Sequence, residues 1–381
     1  MESLDHLLAV SEYMHLEPAE DMDCPQIVAP SKANKVYVSH ATLPNGKRIR
    51  LLKTLLTSAC ERNCYYCPFR ARRNYRRVTF PPEEFANLFM TFYRGGLVEG
   101  LFLSSGVFGG GLYTQDKLLD TAQLLRKKHE YKGYLHLKIM PGAERDQVEA
   151  AMLTADRVSV NLEAPNQQRL EQLTPSKHYL RELLTPLQWI EEIRKTQSPQ
   201  RAWKGRWPSS VTQFVVGAVG ESDLELLSTT EALYHQYHLK RAYFSPFRPI
   251  PDTPFEDQPA ENPKRQYRLY QSSFLLRDYG YLLEEMPFNP QGNLPLEIDP
   301  KLAWAQTYLA HNPVEINLAS REELLRVPGI GPKGVTAILQ ARRQVRMNDL
   351  STLTKLGVQA SRAAPFLLIN GKKHVHQLGL W

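Results

Sequence analysis

Cys60, Cys64 and Cys67 stand in the spacing C-x3-C-x2-C, three thiols on one short stretch of chain. Closely spaced thiolates of this kind suit a cubane iron–sulfur cluster, and three of them leave the fourth iron free to take a substrate-like ligand. Unliganded core thiols and a single zinc ion are the other readings, and zinc wants a fourth Cys or His. No histidine occurs in residues 68–127, so Cys24 and His40, both upstream, are left as candidates to complete such a site. Four cysteines in 381 residues are too few for a disulfide scaffold, and a reducing cytoplasm is the expected setting.

Positive charge is the second signal. The net charge is +7, and residues 313–381 hold ten Lys or Arg against four Asp or Glu. Most of the excess therefore lies in that stretch, a local signature of a module that binds a polyanion. Arg70, Arg72, Arg73, Arg76 and Arg77 form a second knot directly after the cysteines. The plain alternative for either group is a solvated face. Arg201–Ala202–Trp203–Lys204–Gly205–Arg206–Trp207 interleaves basic and aromatic residues as nucleic-acid contacts do. It precedes a strand-like run, however, which puts it opposite the chemistry and favours a structural or partner role.

The elements that must place these residues are legible in the alternation of apolar runs with longer amphipathic segments. Strand-like runs cover Arg50–Thr57, Gly100–Ser105, Gly133–Ile139, Arg157–Glu163, Val211–Gly217 and Arg241–Ser245. Helical candidates lie near 82–94, 115–129, 144–153, 166–195, 222–237 and 262–278. Such alternation predicts a parallel sheet. Six units without a Gly-rich dinucleotide fingerprint predict an α/β fold of the partial (β/α)6 barrel type, with chemistry at the C-terminal strand ends. Residues 1–47 read as an acidic, irregular segment, 48–285 as the barrel, 286–312 as a Pro-rich linker or cover, and 313–381 as a small all-α domain. A 42% apolar composition supplies a sizeable core. No apolar run approaches the ~18 residues of a membrane span. Residues 1–31 carry seven acidic side chains and no Lys or Arg, which fits neither a secretory signal nor a transit peptide.

C-x3-C-x2-C after the first strand of a partial barrel, with aromatic Tyr66 just before the last cysteine, resembles the radical S-adenosylmethionine (SAM) superfamily. The resemblance implies a [4Fe-4S] cluster on Cys60, Cys64 and Cys67 whose open iron chelates the amino and carboxylate groups of SAM. One-electron reduction then cleaves SAM to methionine and a 5′-deoxyadenosyl radical. It also implies SAM contacts, with Tyr66 among them. Ser104, Ser105 and Gly106 end the second strand where the superfamily has a Gly-Gly-Glu segment for the SAM amino group, here without the Glu. Lys138 near the end of the third strand would meet the SAM carboxylate as a point charge. Asn161 and Glu163 at the end of the fourth would bind ribose hydroxyls. Gly217, in Phe214–Gly220, would let adenine approach closely.

Towards the C-terminus, Asn317–Arg326 has a helix pattern, followed by Val327–Pro328–Gly329–Ile330–Gly331–Pro332–Lys333 and a second helix over 333–343. This resembles a helix-hairpin-helix. The resemblance implies a tight glycine turn, Ile330 as a plug between the helices, and helix-start amides with Lys333 facing a DNA phosphate. A degenerate second copy follows through Leu356–Gly357–Val358. A radical SAM core with this appendage is similar to the family of DNA modification/repair radical SAM proteins. Glu99–Gly106, Gly133–Ile139, Ser159–Pro165 and Gln213–Gly217 carry the likeness further. It implies a DNA-acting enzyme that uses a [4Fe-4S] cluster and SAM, reduced by a donor such as flavodoxin or ferredoxin. The implied DNA-binding residues are Gly329, Ile330, Gly331, Lys333, Gly334 and Gly357, with Arg70, Arg72, Arg73 and Arg248 at the barrel mouth. A reactive carbon inside a stacked duplex is out of reach, so a flipped or single-stranded target is expected. The other readings are an RNA-modifying enzyme of the same chemistry, and a non-enzymatic DNA-binding protein whose cluster is structural or redox-sensing.

Overall fold

The computed structural model describes residues 2–11, 14, 38–42 and 46–373; Cys24 lies outside them. Helix α1 (Glu2–Ser11) and strand β1 (Val38–Thr42) occupy the segment read as irregular. From β2 (Arg48–Leu55) onward the predicted alternation holds: α2 (Pro82–Arg94), β3 (Gly100–Ser104), α3 (Gly111–Gln123), β4 (Tyr134–Lys138), α4 (Arg145–Thr154) and β5 (Arg157–Ser159) follow in order. Then come α5 (Gln167–Leu173), α6 (Thr185–Thr196), β6 (Ser209–Val216), α7 (Asp223–Tyr237) and β7 (Arg241–Pro246).

The seven strands form one sheet in sequential order. β2 to β7 are parallel neighbours, the six expected from sequence, and together they make the open α/β partial barrel. β1 is the addition: it pairs antiparallel with β2, Val38 opposite Leu52 and Thr42 opposite Arg48. Every residue of β3 is buried, as strands covered on both faces require. α2 shows how a covering helix is specified. Pro82 starts it, Glu83 and Glu84 face its positive end, and Arg94 its negative end. Phe85, Ala86, Phe89 and Met90 form its inward stripe.

The single helix expected over 166–195 is broken. Thr174 precedes Pro175, whose ring disfavours helical backbone in the residue before it, and Thr174 takes φ −151°. Residues 174–178 form a loop, and a π-turn at Tyr179–Leu184 leads into α6. That break matters to the site.

Two compact units are present, one of Met1–Glu221 with Ala232–Asn262, the other of Ser222–Glu231 with Pro263–Trp381. The second holds α8 (Pro263–Asp278), α9 (Pro300–Tyr308), β8 (Val314–Glu315), α10 (Arg321–Arg326), α11 (Pro332–Ala341), α12 (Leu350–Lys355), α13 (Ala360–Ala363), β9 (Leu367–Ile369) and β10 (Lys372–Lys373). The stretch read as a Pro-rich linker thus contains α9, capped by Asp299, with Trp304 buried edge-on to Tyr281 at 5.4 Å. The expectation of an all-α C-terminal domain is also corrected. β8, β9 and β10 form a three-stranded sheet, and strands of two or three residues are too short to leave a period in sequence.

Candidate active site

β2 ends at Leu55, and the chain turns there into the cysteine loop. Hydrogen bonds to the next strand fix the turn: Leu56 N donates to Ser104 O at 2.9 Å and Gly106 N to Thr57 O at 2.7 Å. Gly106 has a steric reason to be glycine, because a Cβ there would collide with the Ala59 carbonyl. The loop is then clamped to the segment released by the break after α5. Arg62 donates to Ser176 O at 2.5 Å and pairs with Glu182 at 2.6 Å; Asn63 N donates to Ser176 Oγ at 3.1 Å, and Tyr65 N to Leu173 O at 3.0 Å.

Cys60, Cys64 and Cys67 line a pocket of about 900 Å³, open mouth included, at the C-terminal ends of the strands. Tyr66, Ser104, Ser105, Gly106, Lys138, Asn161 and Glu163 line it too, so sequence reasoning and the fold bring these residues to one place. Gly217 does not join them. Its space is taken by the Glu261 side chain, against which a Cβ would collide, and its amide donates to Glu221. The closeness that makes it glycine is to a carboxylate of this chain.

Lys177, Arg62 and Gln213 line the pocket without having been singled out. Lys177 donates to Glu163 Oε1 at 3.0 Å, while Tyr66 Oη donates to Glu163 Oε2 and Asn161 to Gln213 Oε1 at 3.0 Å. Glu163 itself holds a left-handed backbone, φ +67°, a strained conformation for a non-glycine residue that clusters at functional sites. Burial pushes the Cys64 and Cys67 thiols up, partly offset by the Lys177 ammonium. Burial also works against charge on Lys177 and Glu163. For Lys177, Cys64 and Glu163 outweigh it and raise the ammonium; for Glu163, Lys177, Lys138 and Tyr66 hold the carboxyl below its usual range. The one signal for Lys177 in the sequence was the helix-breaking Pro175 two residues before it.

Among the described residues, the free cysteines are these three, and no three Cys, His, Asp or Glu side chains are placed to hold one metal ion. A cubane gives each thiolate its own corner iron, so three separated thiols suit a cluster better than a lone zinc. Ser105 Oγ and Arg62 Nε are enclosed at the pocket and, among the described residues, have no hydrogen-bond partner, which leaves polar atoms ready for a bound ligand.

The arginine knot divides. Arg70 is spent on Asn63 Oδ1, Arg73 on the Pro68 and Pro251 carbonyls, and Arg77 on the carbonyls of Cys60, Arg70 and Arg73. Arg72, Arg76 and Arg248 are exposed. Trp203, in the basic–aromatic run, lies under the Arg126 guanidinium at 4.2 Å, and Lys204 pairs with Asp156 at 2.9 Å; both are internal contacts.

In the second unit, α10 and α11 are joined by Val327–Gly331 with Gly329 at φ +84°. Ile330 is fully buried, Gly329 packs on Gln359 and Gly334 on Val358, so these three build the turn. Gly357 repeats the left-handed turn between α12 and α13 with open space where a side chain would go, and Lys333 is exposed at the start of α11.

Comparison with known proteins names the class. Residues 54–227 match the model of the Radical SAM superfamily, so this part of the chain is a radical SAM domain. Domains of this superfamily bind a [4Fe-4S] cluster and SAM, and its members are enzymes. No curated protein is matched. Solved structures similar to the chain include methylornithine synthase (13% identity, TM-score 0.47, 60% of this chain and 61% of that one). Another is the [FeFe]-hydrogenase maturase HydG from Carboxydothermus hydrogenoformans (15%, TM-score 0.44, 60% and 51%). A third is a radical SAM methyltransferase from Sphaerobacter thermophilus (14%, TM-score 0.45, 63% and 70%). The chain thus covers between half and about three fifths of the first two. Among the described residues, no helix is long and apolar enough to cross a membrane.

Proposed function

We propose that this chain is a radical SAM enzyme acting on DNA. The observation that carries the reading is one chain holding both the three-thiol pocket and a basic C-terminal segment with two glycine-turned helix pairs. When bound, the cluster and SAM supply a one-electron bond cleavage that yields a 5′-deoxyadenosyl radical. The residues of this chain do the rest. Cys60, Cys64 and Cys67 hold the cluster. Ser104, Ser105, Lys138 and Asn161 offer donors to SAM, with Lys138 the charge for a carboxylate. Glu163 is a partner for ribose hydroxyls, held in place by Lys177 and Tyr66. Leu55, Val107, Ile139 and Met140 wall the pocket with apolar surface and exclude water.

DNA recognition is assigned to the backbone. Lys333 and the amides at the start of α11, with the Gly357 turn, would meet phosphates without reading bases. Arg72 and Arg248, exposed at strand-end loops of the barrel, would meet the strand that enters it. Arg70 and Arg73 shape the loop instead, because their guanidinium groups are already engaged.

The test is anaerobic. Cluster-loaded protein is mixed with dithionite and SAM, and 5′-deoxyadenosine is quantified with no nucleic acid, with duplex DNA, with single-stranded DNA and with transfer RNA. Release that rises with DNA is the expected result. Stimulation by transfer RNA alone would redirect the reading to RNA, and no cleavage by iron-loaded protein would favour a structural cluster. Lys333→Glu in the full chain should weaken duplex binding at every sequence alike and lower the slope of log affinity against log salt by about 1.

A further inference from the structure

The loop from β3 to α3 and the first turn of α3 display large apolar side chains that a folded chain ordinarily covers. Phe108 is 55% exposed, Tyr113 51% and Leu112 46%. Phe108, Leu112 and Tyr113 lie within six residues of sequence, and adjoining exposed apolar side chains mark an interaction surface. The loop is built to keep them there. Phe108 N donates to Thr114 Oγ1 at 3.0 Å, and that hydroxyl lies 2.8 Å from Gly110 O. Gly109 and Gly110 take φ +72° and +91°, and a Cβ on Gly111 would collide with the Pro141 carbonyl. Tyr113 lies across Gly109, with the Lys117 ammonium 5.3 Å from its ring centroid.

Hydrogen bonds tie this loop into a rim around the cysteine pocket. Glu61 N donates to Val107 O at 2.7 Å, and Gly110 N to Glu61 Oε2 at 3.4 Å. On the other flank of the cysteines, Arg77 reaches the Cys60 carbonyl, Arg73 the Pro251 carbonyl at 3.0 Å, and Asn74 N the Asp252 carboxylate at 3.0 Å. The rim therefore runs from Phe108 through the cluster loop and the arginine knot to the loop after β7. Along it stand Arg72, Arg76 and Arg248, exposed and with no side-chain partner among the described residues.

We propose that Phe108 and Tyr113 are a stacking platform for an unstacked base of single-stranded nucleic acid, with Arg72, Arg76 and Arg248 taking its phosphates. This rests on the nucleic-acid reading above and specifies the form of the substrate at the barrel mouth. Aromatic faces flanked by exposed guanidinium groups are the combination that holds single strands, because every base has a π-face and every nucleotide a phosphate. An acidic protein partner would also be met by the cations, and it would leave 2-aminopurine emission unchanged.

The experiment uses full-length, cluster-loaded protein. Affinity for a labelled single strand and for a duplex is measured by fluorescence anisotropy over a salt series. A strand carrying 2-aminopurine reports stacking. Wild type should bind the single strand and change the 2-aminopurine emission. Phe108→Ala/Tyr113→Ala should abolish that change and weaken single-strand binding on the order of tenfold to a hundredfold, with the salt slope kept. Phe108→Trp/Tyr113→Phe, which keeps two rings, should retain both. Arg72→Gln/Arg76→Gln/Arg248→Gln should instead flatten the salt slope. Equal melting temperature and cluster absorbance would show that the variants are folded. Unchanged single-strand affinity in the double alanine variant, with wild type still binding DNA, overturns the platform alone. Loss of only reductant-protein docking in that variant would also overturn it. Wild type binding no strand at all overturns the nucleic-acid reading beneath it.

Discussion

Lys177 Nζ lies 3.0 Å from Glu163 Oε1, and the other oxygen of that carboxylate accepts from Tyr66. Both charges are nearly withdrawn from water, on the wall shared with the three thiols. Removing one partner of such a pair strands the other's charge, at a cost of about 3–5 kcal/mol. Lys177→Met should therefore destabilise the protein by that order, and Lys177→Met/Glu163→Gln by clearly less. Urea unfolding of wild type, both single variants and the double variant gives the coupling directly.

Cysteine replacement separates ligands from bystander. Cys64→Ala should lose iron and the broad visible absorbance of a reconstituted cluster, and Cys60→Ala and Cys67→Ala should behave alike. Cys24→Ala should keep both. Iron and sulfide assays on anaerobically reconstituted protein decide it.

Gly106→Ala tests the close approach of β3 to the cluster loop. The added methyl meets the Ala59 carbonyl, which is backbone and cannot swing aside. A loss of about 1–3 kcal/mol is expected, with poorer iron loading as the cysteine loop shifts. Gly357→Ala is the control: its space is open and φ +78° is its only obstacle, so about 1–2 kcal/mol and normal iron loading should result. Thermal melts and iron content read both.

Lys301 gives a pH signature in the second unit. It donates to Ile330 O at 2.6 Å and faces the Tyr279 ring at 4.7 Å; Asp299 and Arg362 are its charged neighbours. Burial, against the pull of Asp299 and with the push of Arg362, lowers its pKa to about 7 from an ordinary 10.5. Between those two values the unfolded chain binds the extra proton, so this group makes stability rise with pH from about 7 towards 10.5; below about 7 its penalty is complete. Lys301→Met should flatten the rise. Urea midpoints at pH 6.5, 8 and 9.5 for wild type and variant measure it.

Local signals carried far in this chain. The thiol spacing is a property of eight consecutive residues, and the six parallel strands are runs of buried apolar side chains, so both were legible before any fold. The place of Lys138, Asn161 and Glu163 at the pocket was legible once strand ends were placed, since chemistry in such barrels gathers there, and that of Tyr66 from its position beside Cys67. Short strands were not. β1 buries only Ser39 and Ala41 at the sheet edge, and β8, β9 and β10 are too brief to show a period.

Spacing and composition established three closely set thiols, the barrel class and a basic segment with paired glycines. Tertiary structure alone decided which charges are free. Arg62 and Glu182 are 120 residues apart, and Lys177 is 14 residues beyond Glu163 across a helix that Pro175 interrupts. Arg70 and Arg72 are near neighbours of the same type, yet one is bound to Asn63 and the other stands in water. Composition cannot tell them apart, because a guanidinium is spent or available according to which carbonyls and carboxylates the folded chain brings within hydrogen-bond reach.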